Sequence, residues 1–427
     1  MIDRTRLFRR ISRPGRRAAT ALVAGALFVS GAAAGWAQPS RQPLVPLHRL
    51  EYRELGYRFF NEIPGDSAFI TALAVGGDGR IYGATSGAQS HLFAFSAATN
   101  QVKPLGTIAD TQGVHHSLAV GRDGSVYIGT GKNILQRIVI KPDLSSGRDH
   151  ISKDLWTQLQ EHYAGYPGGH LYRYDPAKEP RTAPPGQAAA VEDLGVPVPG
   201  DGVYCLTSDP ERRVLYGISY PRAHFFLHDL KAGRTVDKGP MFKDVLFGGP
   251  DDRTLRSLPR DLVVAASGDV YTSTDGGRIL RFDPARQEFQ THAASIPGEA
   301  MQVVEAWARD GDVLYGGTSE GFVFRFVPAS SIVENLGKPM LAQRIRGLVL
   351  GRNRMLYGLA GDRSVPNLFF RYDTEKRLFE SLGGIDVDRS PYYSWRALQF
   401  DAMVAGPDGT IFMGESDRHG HLFFYLP

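Results

Sequence analysis

The chain has 427 residues, with 49 glycines, 11% aromatic and 22% charged side chains, and one cysteine. That length suits one large β domain or two medium ones, the composition excludes a disordered chain, and a lone cysteine leaves no internal disulfide. The formal charge of +4 comes from the first residues: without 1–37, Lys+Arg falls from 49 to 42 and Asp+Glu from 45 to 44, a net −2. No basic stripe remains to track phosphates, so nucleic acid is not an expected partner.

The first stretch, "MIDRTRLFRRISRPGRR", carries seven arginines and one aspartate, and the apolar "AATALVAGALFVSGAAAGWA" follows it. With small residues at Gly35 and Ala37, this is the pattern of a secretory signal peptide over 1–37, cut near Ala37–Gln38. An uncleaved membrane anchor is the alternative. The mature chain, 38–427, is then expected to be exported, periplasmic or extracellular, with no membrane contact after cleavage. Stability must come from packing, and Cys205 in "VYCLTS" reads as a small buried hydrophobe.

Residues 50–60, "LEYRELGYRFF", read as a lone strand. After it a unit repeats seven times: an apolar strand, a turn often reading Asp-Gly, a strand of the form h-Y-G-x-T, a loop, and a strand like H-L-F-x-Y-D-P. Asp-Gly between apolar runs is a hairpin signal, because glycine takes positive φ at no steric cost. The copies begin at "LAVGGDGRIYGATS", "LAVGRDGSVYIGT", "LTSDPERRVLYGIS", "LVVAASGDVYTST", "AWARDGDVLYGGT", "LVLGRNRMLYGLA" and "MVAGPDGTIFMGE". Three clear strands and a weaker fourth per copy predict an all-β, seven-bladed β-propeller. Copy seven ends after its third strand, so the strand near residue 50 is expected to complete that blade and close the ring.

Copy two is interrupted by residues 131–168, where "HISKDLWTQLQEHYAGYPGG" has a helix-like run with Leu155, Trp156, Leu159 and His162/Tyr163 on one side. This partly helical insertion joins the second and third strands, on the face where the first strands begin. Long loops on a rigid scaffold carry function, so it is expected as a lid or substrate wall, with a packing brace as the alternative. The loop "FGGPDDRTLRSLPR" is placed on the same face.

First strands of a propeller line its central channel. Aligning the copies on the hairpin tyrosine places Thr71, His116, Tyr204, Arg260, Val304, Arg346 and Asp401 in one ring. His116 rather than His115 faces the channel in this register, and a one-residue slip would exchange them. A histidine, a tyrosine, two arginines and an aspartate suit chemistry on a sugar acid: His and Tyr can exchange protons, and Arg pairs with a carboxylate. The plain alternative is a polar, water-filled channel. A second set, His91, His170, His224 and His421, opens the third strands, and a histidine recurring at one blade position reads as structural. His91 and His224 are weighed as exceptions, with Arg222 close by in "YGISYPRAHFF".

His91 in "SHLF", His116 or His115 in "VHHSL", Tyr204 in "DGVYCL" and Arg222 in "YPRAHFF" resemble the site of the seven-bladed propeller polysaccharide lyases, namely the ulvan lyases and rhamnose–glucuronate lyases. The resemblance spans the propeller, but its specific motifs cover copies one to three, and the His-to-His gap here is longer than in that family. It implies β-elimination on an acidic polysaccharide or oligosaccharide. Arg222 or Arg260 would pair with the uronate carboxylate, Tyr204 or His116 would take the proton α to it, and the other, or His91, would protonate the leaving oxygen. His115, His224, Arg346 and Asp401 would contact substrate. The scheme calls for no cofactor. A divalent metal held by His91, His116 and His224 stays open, although no short metal-ligand spacing such as H-E-x-x-H is present.

A non-catalytic glycan- or protein-binding propeller is the rival reading, and Tyr392, Tyr393 and Trp395 in "SPYYSWRALQFD" offer it an aromatic sugar platform. A lactonase-type hydrolase would need a calcium site, for which Asp401, Glu415 and Glu305 are few and scattered.

Overall fold

The hairpin turns build each blade. Asp78 shows how: its carboxylate accepts the Arg80 backbone N–H at 3.1 Å and the Tyr82 hydroxyl at 2.8 Å, while Gly79 sits at φ +80°. The aspartate thus ties the turn to the tyrosine of the next strand. Gly83, after that tyrosine, lies under the ring of Phe93, and a β-carbon there would overlap it. Between third and fourth strands a second aspartate caps the turn: Asp283 accepts the N–H groups of Ala285 and Arg286 at 2.9 and 3.1 Å.

The structure is a computed structural model. It describes residues 50–427 except 56–62, 109–110, 133–160, 180–186, 242–257, 275, 299–301, 343, 363–364, 391–392, 397–398 and 417–419. The expected signal peptide, the central part of the insertion with Leu155, Trp156 and Leu159, most of the "FGGPDDRTLRSLPR" loop, and Tyr392 lie outside the described residues.

The chain forms seven four-stranded antiparallel sheets. Blade 1 is β2 (Phe69–Val75) to β5 (Gln101–Ile108), and blade 2 is β6 (Leu118–Val120) to β9 (Val191–Gly195). Blade 3 runs from β10 (Gly202–Asp209) to β13 (Arg234–Pro240), and blade 4 from β14 (Val263–Val264) to β17 (Glu288–Ser295). Blade 5 is β18 (Val304–Asp310) to β21 (Ile332–Gly337), and blade 6 is β22 (Ile345–Leu350) to β25 (Leu378–Gly384). Blade 7 joins β28 (Phe400–Ala405), β29 (Ile411–Glu415) and β30 (His421–Tyr425) to β1 (Leu50–Glu54). β1 pairs antiparallel with β30, from Leu50 opposite Tyr425 to Glu54 opposite His421. The ring therefore closes through the N-terminal strand, which covers an edge that β30 would otherwise expose.

The core lies between blades. Each interface holds its own apolar cluster: Tyr82 and Leu92 of blade 1 meet Val126 and Tyr174 of blade 2, and Phe93 and Phe95 meet Phe412 and Leu422 of blade 7. Each fully buried Phe or Leu contributes about 1.5–3 kcal/mol. Cys205 belongs to the cluster between blades 3 and 4, where burial pushes its thiol pKa well up.

A two-stranded ribbon, β26 (Asp386–Ser390) and β27 (Tyr393–Arg396), separates blades 6 and 7, and Trp395 pairs with Val387 along its backbone. In the insertion, Glu161–Tyr163 form a helical turn. No helix among the described residues is long and apolar enough to cross a membrane.

Candidate functional site at the channel mouth

Five of the seven innermost strands carry a β-bulge near their start. The ladders skip between Ile70 and Ala72, Val203 and Cys205, Val304 and Ala306, Ile345 and Gly347, and Phe400 and Ala402. The residues left out are Thr71, Tyr204, Glu305, Arg346 and Asp401. A bulge frees one residue from the ladder and re-aims its side chain. Thr71, Glu305, Arg346 and Asp401 line a central cavity of about 260 Å³ together with His116 and Arg260. These last two come from blades 2 and 4, whose first strands begin later, at Leu118 and Val263.

Blade 5 departs from the sequence alignment. Val304 is buried in the core between blades 4 and 5, and Glu305 takes the ring position. The hairpin is the reason: it pairs Ala308 with Tyr315, where blade 1 pairs Ala74 with Tyr82, so the shorter turn brings the inward residue one place nearer the tyrosine. A small residue follows each bulged one, namely Ala72, Cys205, Ala306, Gly347 and Ala402. At Gly347 a β-carbon would come within 2.8 Å of the Met403 β-carbon on the next blade. Ser117 and Asp261 stand at the equivalent places after His116 and Arg260.

The two adjacent histidines separate. His116 adopts φ +38°, a left-handed conformation uncommon outside glycine. Its N–H donates to the Thr71 carbonyl of blade 1, and its own carbonyl accepts from Leu206 N–H of blade 3, both at 3.1 Å. These bonds hold the strained backbone and aim the ring into the channel. His115 turns away, its Nε2 lying 3.1 Å from the carbonyl of Lys132 at the root of the insertion.

Charge is concentrated on the ring. Arg260 points Nε and Nη2 at His116 Nε2, at 2.9 and 2.6 Å, and Nη1 at Glu305, at 3.4 Å; its Nη2 also pairs with Asp401. Arg344 grips Glu305 with Nε at 2.8 Å and Nη2 at 2.6 Å. Arg346 lies 3.3 Å from Asp401 and 3.9 Å from Glu305, and its buried Nε has no hydrogen-bond partner. Asp401 also accepts from Gln399 at 2.6 Å and from Ser416. Three guanidiniums thus face two carboxylates.

The pKa shifts follow from this arrangement. Burial, reinforced by the Arg260 cation, holds His116 well below the usual histidine range. Burial pushes the Tyr204 phenol up, against the pull of Arg260. Burial opposes ionisation of Asp401, but Arg346 and Arg260 overcome it and hold the carboxyl well down. Burial and the neighbouring Arg260 pull Arg346 down to about 10. Burial raises Asp261, which lines the same cavity, to about 7, even though the backbone N–H groups of Trp307 and Leu262 bond to it at 2.8 Å.

The structure therefore brings together His116, Tyr204, Arg260, Arg346 and Asp401. The Tyr204 ring stands edge-on to His116 with centroids 5.9 Å apart, and both are half-buried. Glu305 and Arg344 join them. Four further candidates are held elsewhere. Arg222 is committed to Asp201, Nε to Oδ1 at 2.7 Å. His224 pairs with Asp237 across blade 3 at 2.9 Å, as His170 pairs with Asp193 in blade 2 at 3.0 Å. His91 is buried in blade 1, its Nε2 without a hydrogen-bond partner. His115 serves the insertion. Glu415 pairs with His421 inside blade 7. Among the described residues, no three His, Cys, Asp or Glu side chains converge as a metal site would need.

Comparisons with known proteins bear on the fold. The family model for the N-terminal part of strictosidine synthase-like proteins matches residues 257–282, which include Arg260 and Asp261. No curated protein matches the chain. The extracellular domain of the BT4673 one-component system of B. thetaiotaomicron is 12% identical with a TM-score of 0.53, over 88% of this chain and 39% of that one. The chain thus spans about two fifths of that sensor's length. A catalytically inactive virginiamycin B lyase from Staphylococcus aureus, with quinupristin, is 11% identical with a TM-score of 0.57, over 88% and 100%. U3-55K is 12% identical with a TM-score of 0.52, over 90% and 100%. At these identities the likeness is one of fold: the chain is a seven-bladed β-propeller, built like proteins of unrelated activity.

Proposed function

We propose that this is an exported propeller that binds an acidic saccharide at the channel mouth and cleaves it by β-elimination. One observation carries the reading: the ring has a surplus guanidinium, and the buried Nε of Arg346, a residue that lines the cavity, has no acceptor. A sugar carboxylate is an acceptor of matching charge and planarity.

The pKa directions support one division of the proton transfers. Groups whose environments push their pKa values apart mark acid and base. His116 is kept neutral, with a lone pair on Nε2, so it is the base. Tyr204 is kept protonated, so it is the acid. Arg260 and Arg346 neutralise the uronate carboxylate, which acidifies the proton on the adjacent carbon. His116 takes that proton. The freed electron pair forms the double bond to the neighbouring ring carbon, whose bond to the glycosidic oxygen breaks, and Tyr204 protonates that oxygen. The carboxylate must first draw the Arg260 donors from His116 Nε2, so binding and activation of the base are one event. No role falls to Arg222 in this scheme.

The test is the ultraviolet absorbance of an unsaturated uronide, followed with purified protein on a panel of uronate polysaccharides. A rise lost in His116→Ala and Tyr204→Phe supports the lyase. A non-catalytic glycan-binding propeller is favoured by a different observation: in the resting geometry Arg260 already occupies His116 Nε2. Saccharide binding without any absorbance rise would decide for it.

A further inference from the structure

Two residues past the charged ring, the innermost strands turn inward again, because alternate residues of a strand share a face. Those places hold Leu73, Leu118, Leu206, Trp307, Leu348 and Met403, one from every blade but the fourth, and all six line the same cavity as the ring. Each also packs into an apolar cluster between blades, so the layer is fixed by the core. In blade 4 the matching Leu262 is buried between blades 3 and 4, and Asp261 lines the cavity instead, its oxygens taken by the N–H groups of Leu262 and Trp307.

The cavity of about 260 Å³ therefore has two unlike halves, a ring of charge and a well of leucines. Two of its lining residues carry a buried donor that has no acceptor among the described residues, Arg346 Nε in the ring and Trp307 Nε1 in the well. Exposure rises away from the ring: Leu73, Leu118 and Leu348 are buried, whereas Val75, Val120 and Leu350, two residues further on, are half-buried. Solvent thus reaches the strands from the end opposite the ring. The well has nothing to offer the hydroxyls of a sugar, and leaving them unpaired is costly. It does suit an apolar body: a cavity of about 150 Å³ lined by such side chains stays dry and takes up benzene.

We propose that the channel below the ring binds a second class of ligand, a monocarboxylic acid with an apolar body, whose alkyl chain or aryl ring lies among the leucines and whose carboxylate takes Arg346. Charge and planarity match at one end and apolar surface at the other. The inference shares Arg346 with the saccharide reading but does not rest on it. The two ligands compete for one guanidinium.

Calorimetric titration of the purified protein with butanoate, hexanoate, octanoate and 1-octanol tests this, with glucuronate alongside. Affinity should rise about threefold for each CH₂ added to the alkanoate. Octanol should bind about tenfold more weakly than octanoate, and Arg346→Gln should remove that difference. Met403→Gln, which sets an amide in the well, should weaken octanoate by about tenfold and leave glucuronate unchanged. Octanoate should displace glucuronate from the wild-type protein, and thermal unfolding checks that each variant is folded. An affinity that does not grow with chain length, octanol as tight as octanoate, or indifference to Met403→Gln would overturn the proposal. Glucuronate binding without alkanoate binding would overturn it and leave the saccharide reading standing; alkanoate binding without glucuronate binding would do the reverse.

Discussion

Arg260 turns one edge of its guanidinium onto a single atom of His116: Nε lies 2.9 Å and Nη2 2.6 Å from Nε2. A ring nitrogen that accepts in this way carries no proton, so the contact selects the neutral tautomer with hydrogen on Nδ1. Replacing Arg260 with Gln removes the cation and should raise the His116 pKa. Because burial is the larger cause, the rise stops short of the ordinary histidine value. NMR titration of the imidazole measures it, and an unchanged pKa would break the link. The same substitution strips Asp401 and Glu305 of a buried partner, at a cost of roughly 3–5 kcal/mol in denaturant unfolding.

Stability should fall on acidification. Burial lowers His115 to about 4, and His116 is lowered as well. Unfolded histidine binds a proton at about pH 6.5. Between that pH and the folded values the unfolded chain holds more protons, so stability present above about pH 6.5 is lost as pH drops, by about 1.4 kcal/mol per unit for each histidine. Melting temperatures between pH 7.5 and 4.5 read this net of the opposite contribution of Asp261, and since two histidines outweigh one aspartate, a flat profile would contradict it.

Asp261 has the opposite sign. Its folded pKa is raised to about 7, so the folded state binds the extra proton. The stability it contributes is full below the unfolded value of about 3.9 and is lost as pH rises toward and through 7. Carbon-detected NMR of the side-chain carboxyl should show a midpoint near neutrality. A midpoint in the ordinary aspartate range would remove Asp261 from the set of groups that change charge in the channel at working pH.

Gly347→Ala should cost about 1–3 kcal/mol in denaturant unfolding, as overpacking does. The added carbon meets the Met403 β-carbon at 2.8 Å and its sulfur at 3.0 Å, and one of the two blades has to shift. Since Gly347 follows the bulged Arg346, saccharide affinity should fall along with stability. Wild-type stability in this variant would mean that blades 6 and 7 yield easily at the channel.

The blades and their closure could be read from the repeat, because Asp-Gly turns and the Tyr-Gly pairing are local chemistry. The ring could be read for His116, Tyr204, Arg260, Arg346 and Asp401, since equivalent positions of a closed repeat must converge. Glu305 falls outside the aligned ring because the first hairpin of blade 5 is one residue shorter than those of blades 1, 6 and 7, so a count back from the tyrosine overshoots by one. The small residue after each bulged position, Ala306 in blade 5, is the signal that corrects the count. Arg344 precedes its strand and reaches the ring only through Glu305, so no periodicity marks it. Arg222 and His224 looked available because their partners, Asp201 and Asp237, are more than ten residues away. The contact of Tyr163 with Tyr220 joins an insertion to the next blade, and only the folded ring places it.

Carboxylate recognition by the ring is the central claim, and titration of glucuronate against its neutral analogue glucuronamide tests it most directly. Glucuronate should bind the wild-type protein at least tenfold more tightly than glucuronamide, and Arg346→Gln should abolish the difference, as loss of a charge-assisted hydrogen bond of about 1.5–3 kcal/mol requires. Equal affinity for the acid and the amide, unchanged in Arg346→Gln, would contradict the account and leave the three arginines as the lining of a channel.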